Sequence, residues 1–163
     1  MVLGGGRERM VHESLTARQA WDHARQVFSE IVDVAEARGV TVCLEPLSRR
    51  LTNFIARTSE AIMMVEEVGH PCFKMMLDVR SASDDEAPIP ELIRRSAPHL
   101  AHFHADDSGG GGPGTGSADY EGICEALREI GYGGYLSVEV FDPRPDPEII
   151  ARESLGTLGR YFD

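Results

Sequence analysis

Four short apolar runs along this chain share one design. Val40–Leu47 carries Glu45, Phe73–Val79 carries Asp78, Leu100–Asp107 carries His104 and Tyr135–Asp142 carries Glu139. Each run places a side chain able to hold a divalent metal near its C-terminal end. One such residue means little. A lone glutamate after a strand is usually a solvated loop residue, an aspartate there often caps the next turn, and a histidine on a strand is often a core residue bonded to backbone. Four in succession restrict both the fold and the chemistry.

The segments between these runs have helical periodicity. In Ala17–Arg38, Trp21, Ala24, Phe28, Ile31 and Ala35 recur at steps of three or four, with Thr16 placed to cap the start and Gly39 to end it. Helices are also predicted over Ser59–Val68, Pro88–Ala97, Tyr120–Ile130 and Glu148–Tyr161. Met1–Leu3 reads as the tail of a strand, and Glu8–Thr16, Ser48–Arg57, Ser81–Ala87, Ser108–Ser117 and Pro143–Pro147 as loops. Val40–Leu44 is a continuous β-branched and apolar run, as expected of a strand buried on both faces of a parallel sheet. Strands are likewise expected over Phe73–Leu77, His99–His104 and Tyr135–Phe141. Strands alternating with helices imply a parallel α/β sheet with right-handed crossovers. Glu45 to Asp78 is 33 residues, Asp78 to His104 is 26 and His104 to Glu139 is 35, spacings that suit βα units of a barrel. All four candidate ligands then fall at the C-terminal face, where such barrels do their chemistry.

The formal charge of −11 argues against a nucleic-acid or anionic-membrane partner. No apolar run is long enough to span a bilayer, and the N-terminal residues lack the apolar core of a signal peptide. Cys43, Cys72 and Cys124 are odd in number and form no close pair, which favours free thiols and a reducing, cytoplasmic setting. The glycine-rich stretch Gly109–Gly112 has no Lys-Ser or Lys-Thr after it and so is not read as a nucleotide loop.

Two glutamates, an aspartate and a histidine supply mostly hard oxygen donors and one imidazole. This set suits one manganese, magnesium or cobalt ion, and zinc less well because no thiolate joins it. A metal with open positions can bind a sugar's carbonyl and a neighbouring hydroxyl, acidify the adjacent C–H, and stabilise an enediolate while a carboxylate takes the proton.

Leu44-Glu45-Pro46-Leu47 with Thr52-Asn53-Phe54, then Leu77-Asp78, then His102-Phe103-His104-Ala105-Asp106-Asp107 with Pro113-Gly114-Thr115-Gly116, then Val138-Glu139-Val140-Phe141, together resemble the sugar phosphate isomerase/epimerase family. This is the xylose isomerase-like TIM-barrel group that includes ketose 3-epimerases, hydroxypyruvate isomerases and inosose dehydratases. The resemblance runs from about Met1 to Phe162 and implies one partial barrel domain over residues 1–163. It implies that Glu45, Asp78, His104 and Glu139 are the metal ligands at the ends of strands five to eight, with His104 favoured over His102. Glu45 and Glu139 would also be the catalytic pair, working as base and acid on opposite faces of the substrate carbon. Ser81, His102 and Asp107 are candidates for orienting a small sugar or sugar-phosphate substrate.

Three positions depart from the family pattern. Ser81 replaces a histidine, Leu51 an acid, and Gly110 or Gly111 an arginine. The first half of the eight-stranded barrel is also absent. The chain is therefore expected to be the C-terminal half of a TIM barrel, with open sheet edges completed by a missing N-terminal half or by a second copy in a homo-oligomer. The expected activity is metal-dependent isomerisation or epimerisation through an enediolate. The alternatives are a lyase of the inosose-dehydratase kind, which would expel a β-hydroxyl, and an inactive truncated sugar-binding fragment. The apurinic-endonuclease branch of the group would need more histidines and a basic face.

Overall fold

A computed structural model describes residues 1–141 and 146–162. Its strands are β1 (Val2–Leu3), β2 (Val42–Leu44), β3 (Phe73–Asp78), β4 (Leu100–Ala105) and β5 (Leu136–Val138). They form one sheet in the order β1-β2-β3-β4-β5, parallel throughout. Between and after them lie α1 (Ala17–Ala37), α2 (Thr58–Val68), the single turn α3 (Val79–Ala82), α4 (Ile89–Ser96), α5 (Tyr120–Glu129) and α6 (Pro147–Phe162). Sequential strands lie side by side because each crossover helix returns the chain to the next position on the sheet.

The helices begin and end for the expected local reasons. Thr16 accepts the Gln19 N–H while the Gln19 side chain accepts the Thr16 N–H, a reciprocal cap for α1. α2 ends at Gly69 in the left-handed conformation. Trp21, Ala24, Phe28 and Ile31 turn α1 toward the core, and Val32 and Ala35 are fully packed there. Leu44, Phe73, Met75, Leu77, Phe103 and Ile123 are each 0 % exposed and fill the space between sheet and helices.

Several boundaries differ from the sequence expectation. The loop expected from Ser81 instead begins inside α3, because Asp78 accepts the Ser81 N–H at 2.6 Å and turns the strand end directly into a helical turn. Val40 is not in β2; its N–H closes the end of α1 on Ala35. β5 is shorter than Tyr135–Phe141, since Tyr135 is 82 % exposed and its carbonyl is taken by the Tyr132 hydroxyl. A 3-10 turn at Arg7–Arg9 interrupts the first loop. Of the expected Pro143–Pro147 loop, residues 143–145 lie outside the described residues, as does Asp142, and Pro147 opens α6.

The loop at 108–117 is folded, not a linker. The Asp107 carboxylate accepts N–H bonds from Ser108, Gly116 and Ala118. The three cysteines are free thiols. Among the described residues, no helix is long and apolar enough to cross a membrane.

The sheet has two open edges among the described residues, β1 and β5. Beside β5 an apolar groove is lined by Leu136, Val138, Val140, Ile150 and Leu155. The architecture is that of a partial barrel, a parallel sheet with helices on its outer face and no closure.

Two substitutions test this packing. Leu77→Ala removes a fully buried side chain from the middle strand and should cost about 2–5 kcal/mol in denaturant unfolding. Thr16→Ala removes only the cap of α1 and should cost about 1 kcal/mol.

Candidate metal centre

The site is built by register. β3 and β4 pair so that Asp78 lies directly opposite His104, and β4 and β5 pair His104 with Ser137 and Ala105 with Val138. Glu139 follows β5 by one residue and its N–H still reaches the Ala105 carbonyl at 3.4 Å. Glu45 follows β2 by one residue and is fixed by its N–H on the Leu3 carbonyl at 3.1 Å. Three strand spacings separate β2 from β5, about 14 Å across a flat sheet. Yet one ligand atom from each of Glu45, Asp78, His104 and Glu139 lies within 4.8 Å of the others. The sheet curls toward a barrel, and that curvature brings the four side chains together.

Glu45, Asp78 and His104 are buried, while Glu139 is partly open. His104 Nδ1 sits 3.1 Å from Glu139 Oε2 and 3.9 Å from Asp78 Oδ2. Asp78 Oδ1 is held by the Ser81 N–H, whereas its Oδ2 is buried with no hydrogen-bond partner. Burial, together with the neighbouring charges of Asp78 and Glu139, pushes the Glu45 carboxyl up to about 8 in the metal-free protein. Burial also raises Asp78, opposed by its hydrogen bonds to Ser81. Three carboxylates that repel one another, an orphaned buried oxygen and a single imidazole fit a divalent cation with a taste for oxygen. The donor set contains no cysteine.

Glu45 is also the tightest point of the backbone. A Cβ on Gly4 would run into its carboxylate, so a side chain there would push that carboxylate out of place. Arg9 comes over from the 3-10 turn and donates Nη1–H to the Glu45 carbonyl at 2.8 Å. The guanidinium thus braces the backbone of Glu45 and brings positive charge near its carboxylate. Ile55 is buried with φ 52°, unusual for a β-branched residue, and its carbonyl accepts the Leu47 N–H. This ties down the loop that leaves Glu45.

The three candidates for orienting substrate occupy different places. Ser81 lines the same cleft of about 980 Å³ as the four metal-site residues. His102 stands edge-on to His104, 5.0 Å between ring centres, and does not line that cleft. Burial and the adjacent His104 lower its basicity. Asp107 is buried with its carboxylate committed to the backbone of the glycine loop.

Two residues carry more of the site than their sequence context indicated. Asp106, given no role by the sequence motif it belongs to, is 0 % exposed; it accepts the Arg80 N–H at 3.0 Å and leaves Oδ2 without a partner. Burial, and the charge of Asp78, push it up to about 8. Arg9 sat in an expected loop with no pattern around it. Nothing local marks either one. The only signal for Asp106 was a second acid directly before Asp107, so close to His104.

Comparison with known proteins agrees with this geometry. Residues 1–161 match the family described as xylose isomerase-like TIM barrel. The D-psicose 3-epimerase of Ruminiclostridium cellulolyticum is 35% identical over 121 residues, 74% of this chain and 41% of that protein. The D-psicose 3-epimerase of Agrobacterium fabrum is 34% identical over 125 residues, 76% of this chain and 43% of that protein. The chain thus spans less than half the length of these relatives. A crystal structure of D-psicose 3-epimerase with D-tagatose from Clostridium cellulolyticum H10 superposes with a TM-score of 0.81 at 28% identity, covering 93% of this chain and 59% of that one. The 3-keto-D-glucoside 4-epimerase of E. coli, at 23% identity and a TM-score of 0.85, shares the fold. The chain belongs to the xylose isomerase-like TIM barrel family, and its five parallel strands form part of that barrel.

Proposed function

We propose that this chain carries the metal-binding and acid/base half of a divalent-metal-dependent sugar isomerase or epimerase, acting on a ketose. The observation that carries this reading is the convergence of Glu45, Asp78, His104 and Glu139 to within 4.8 Å at four successive strand ends. The D-psicose 3-epimerases among its relatives support the substrate class.

Glu45, Asp78, His104 and Glu139 would hold the ion, with manganese, magnesium or cobalt suited to the donor set. When bound, such an ion polarises a carbonyl and lowers the acidity barrier of the neighbouring C–H. The chain's own residues then handle the proton. Glu45 and Glu139 enter from the ends of β2 and β5, strands separated by two others, and so approach a bound sugar from different sides. One takes the proton from the carbon next to the carbonyl, and the C–H electron pair moves toward the carbonyl oxygen. The other returns a proton to the opposite face, inverting that carbon. The two carboxylates end with their protonation exchanged. His104 and Asp78 stay in place as fixed donors, Asp78 through its bond to the Ser81 N–H and His104 through its place opposite Asp78 in the ladder.

The cleft opens near Glu139, whose carboxylate is the most accessible of the four. Sugar would enter from that side and meet the buried Glu45 last.

Titration of manganese into the metal-stripped chain should give about one ion per chain. Glu139→Gln should weaken binding at least tenfold, since changing even the partners of a ligand costs about that much. A folded chain that takes up no ion would overturn the reading. With manganese loaded, D-fructose in deuterated water should gain solvent deuterium at C3, and Glu45→Gln should abolish the exchange. Exchange that persists in Glu45→Gln would remove that residue from its role.

Binding should also depend on pH in a defined direction. Because burial holds Glu45 protonated up to about 8 in the free protein, an incoming ion must displace its proton. Manganese affinity should therefore rise as pH goes from 6 to 8, with proton release on binding. The metal-free chain should show the opposite trend in stability. A carboxyl raised in the folded state favours folding below the unfolded value of 4.5 and loses that contribution as pH climbs through about 8. Calorimetry in buffers of different ionisation enthalpy, together with denaturant melts, reads both.

A further inference from the structure

Arg80 stands two residues beyond Asp78, in α3, and its side chain lines the same cleft as the four metal-site residues. Its guanidinium is held on two sides. The Phe141 ring lies beneath it, 5.3 Å from Cζ to the ring centre. Gly110, at φ +82°, lies beside it, where a Cβ would meet Cζ and Nη1 at an ordinary contact distance of 3.6 Å. A stacked, packed guanidinium has lost much of its rotamer freedom before any ligand arrives. Among the described residues it nevertheless makes no ion pair and donates no side-chain hydrogen bond; its backbone N–H is engaged on Asp106 and its carbonyl by Ser83. The five N–H donors of a half-buried arginine are thus positioned and unused.

Two more arginines line this cleft. Arg50 is drawn toward Asp84 at 3.7 Å, while Arg7 has no ion pair among the described residues. Cations gathered on the wall of a cleft whose floor is carboxylates have a chemical consequence. An anionic sugar would be repelled by that floor unless a guanidinium met its charge. The planar fork of arginine matches phosphate or carboxylate oxygens in pairs.

We propose that Arg80 is a specificity-determining residue and that the substrate is a ketose bearing an anionic group, phosphate or carboxylate, on the part of the sugar away from its carbonyl. This rests on the function proposed above, because the metal site fixes where the carbonyl end lies. It goes further in naming a charged substrate and the residue that selects it. The simpler role for Arg80, balancing the charge of Asp106, would affect neutral and charged sugars alike.

The test uses the manganese-loaded chain and three ketohexoses that differ only at C6: D-fructose, D-fructuronate and D-fructose 6-phosphate. At least one charged ketose should bind about tenfold to a hundredfold more tightly than D-fructose, the effect of one or two charge-assisted hydrogen bonds. Arg80→Met should bring it down to the affinity of D-fructose, and Arg80→Lys should keep part of the advantage. The stronger of the two charged ligands identifies the group as phosphate or carboxylate. Arg80→Met should still bind one manganese ion per chain, which shows that it is folded. If manganese binds but no charged ketose is preferred, or if the preference survives Arg80→Met, this inference fails while the metal site stands. If the unaltered chain binds no manganese, the underlying reading fails first.

Discussion

Concentrated negative charge with too little positive charge near it is the constraint that the rest of this structure serves. Glu45, Asp78 and Glu139 meet at the end of an apolar sheet, and Asp106 lies buried next to them. In a medium poorer than water at screening charge, such a group is stable only if some carboxyls keep their protons or a cation arrives. The metal-free protein takes the first course, with Glu45 and Asp106 both raised to about 8. A bound divalent ion would take the second. An ion bound there would compete with those protons for the same oxygens.

The surrounding structure holds this charge in a fixed geometry. Each of the four converging residues is held in place: Glu45 by its N–H on Leu3 and by Arg9 on its carbonyl, Asp78 by its carboxylate on the Ser81 N–H, His104 by its ladder position and Glu139 by its N–H on Ala105. Glycine at position 4 lets the first strand pass beside the Glu45 carboxylate. The loop at 108–117 looks like a flexible connector in composition, but Asp107 gathers its amides and α6 packs against it. Gly112 faces Ser154 so closely that a side chain there would collide with the hydroxyl. Gly110, one of two positions where the epimerase pattern has an arginine, lies beside the guanidinium of Arg80, which approaches from α3.

The partial barrel also explains what is exposed. Leu136, Val138 and Leu155 line an apolar groove on the open side of β5, and Leu155 is 69 % exposed. A parallel strand ordinarily has a neighbour on both edges and a helix over it. Where β5 lacks that neighbour, the apolar side chains that would have faced it remain open to solvent.

Element order, the parallel sheet and the four strand-end residues that converge were all legible in the sequence, since periodicity reports which face a residue takes and strand ends are marked by glycine, proline and the first polar residue. Thr16, Gly39 and Gly69 announced their helix ends because capping is a local interaction. Other features depended on contacts between residues far apart in the chain. The distance between Glu45 and Glu139 follows from the curvature of four strands, and no spacing along the chain contains it. Arg9 and Asp106 took on roles at the site because folding brought them beside Glu45 and Arg80. Asp107 and His102, both plausible ligand-facing groups in sequence, were assigned by the tertiary structure to the glycine loop and to the flank of His104. The sequence by itself determined which side chains have the chemistry for a metal centre, because residue type and strand-end position are local properties. Only the tertiary structure decided which of them share one cleft and how protonated they are, because burial and electrostatic neighbours exist only once the sheet has curled.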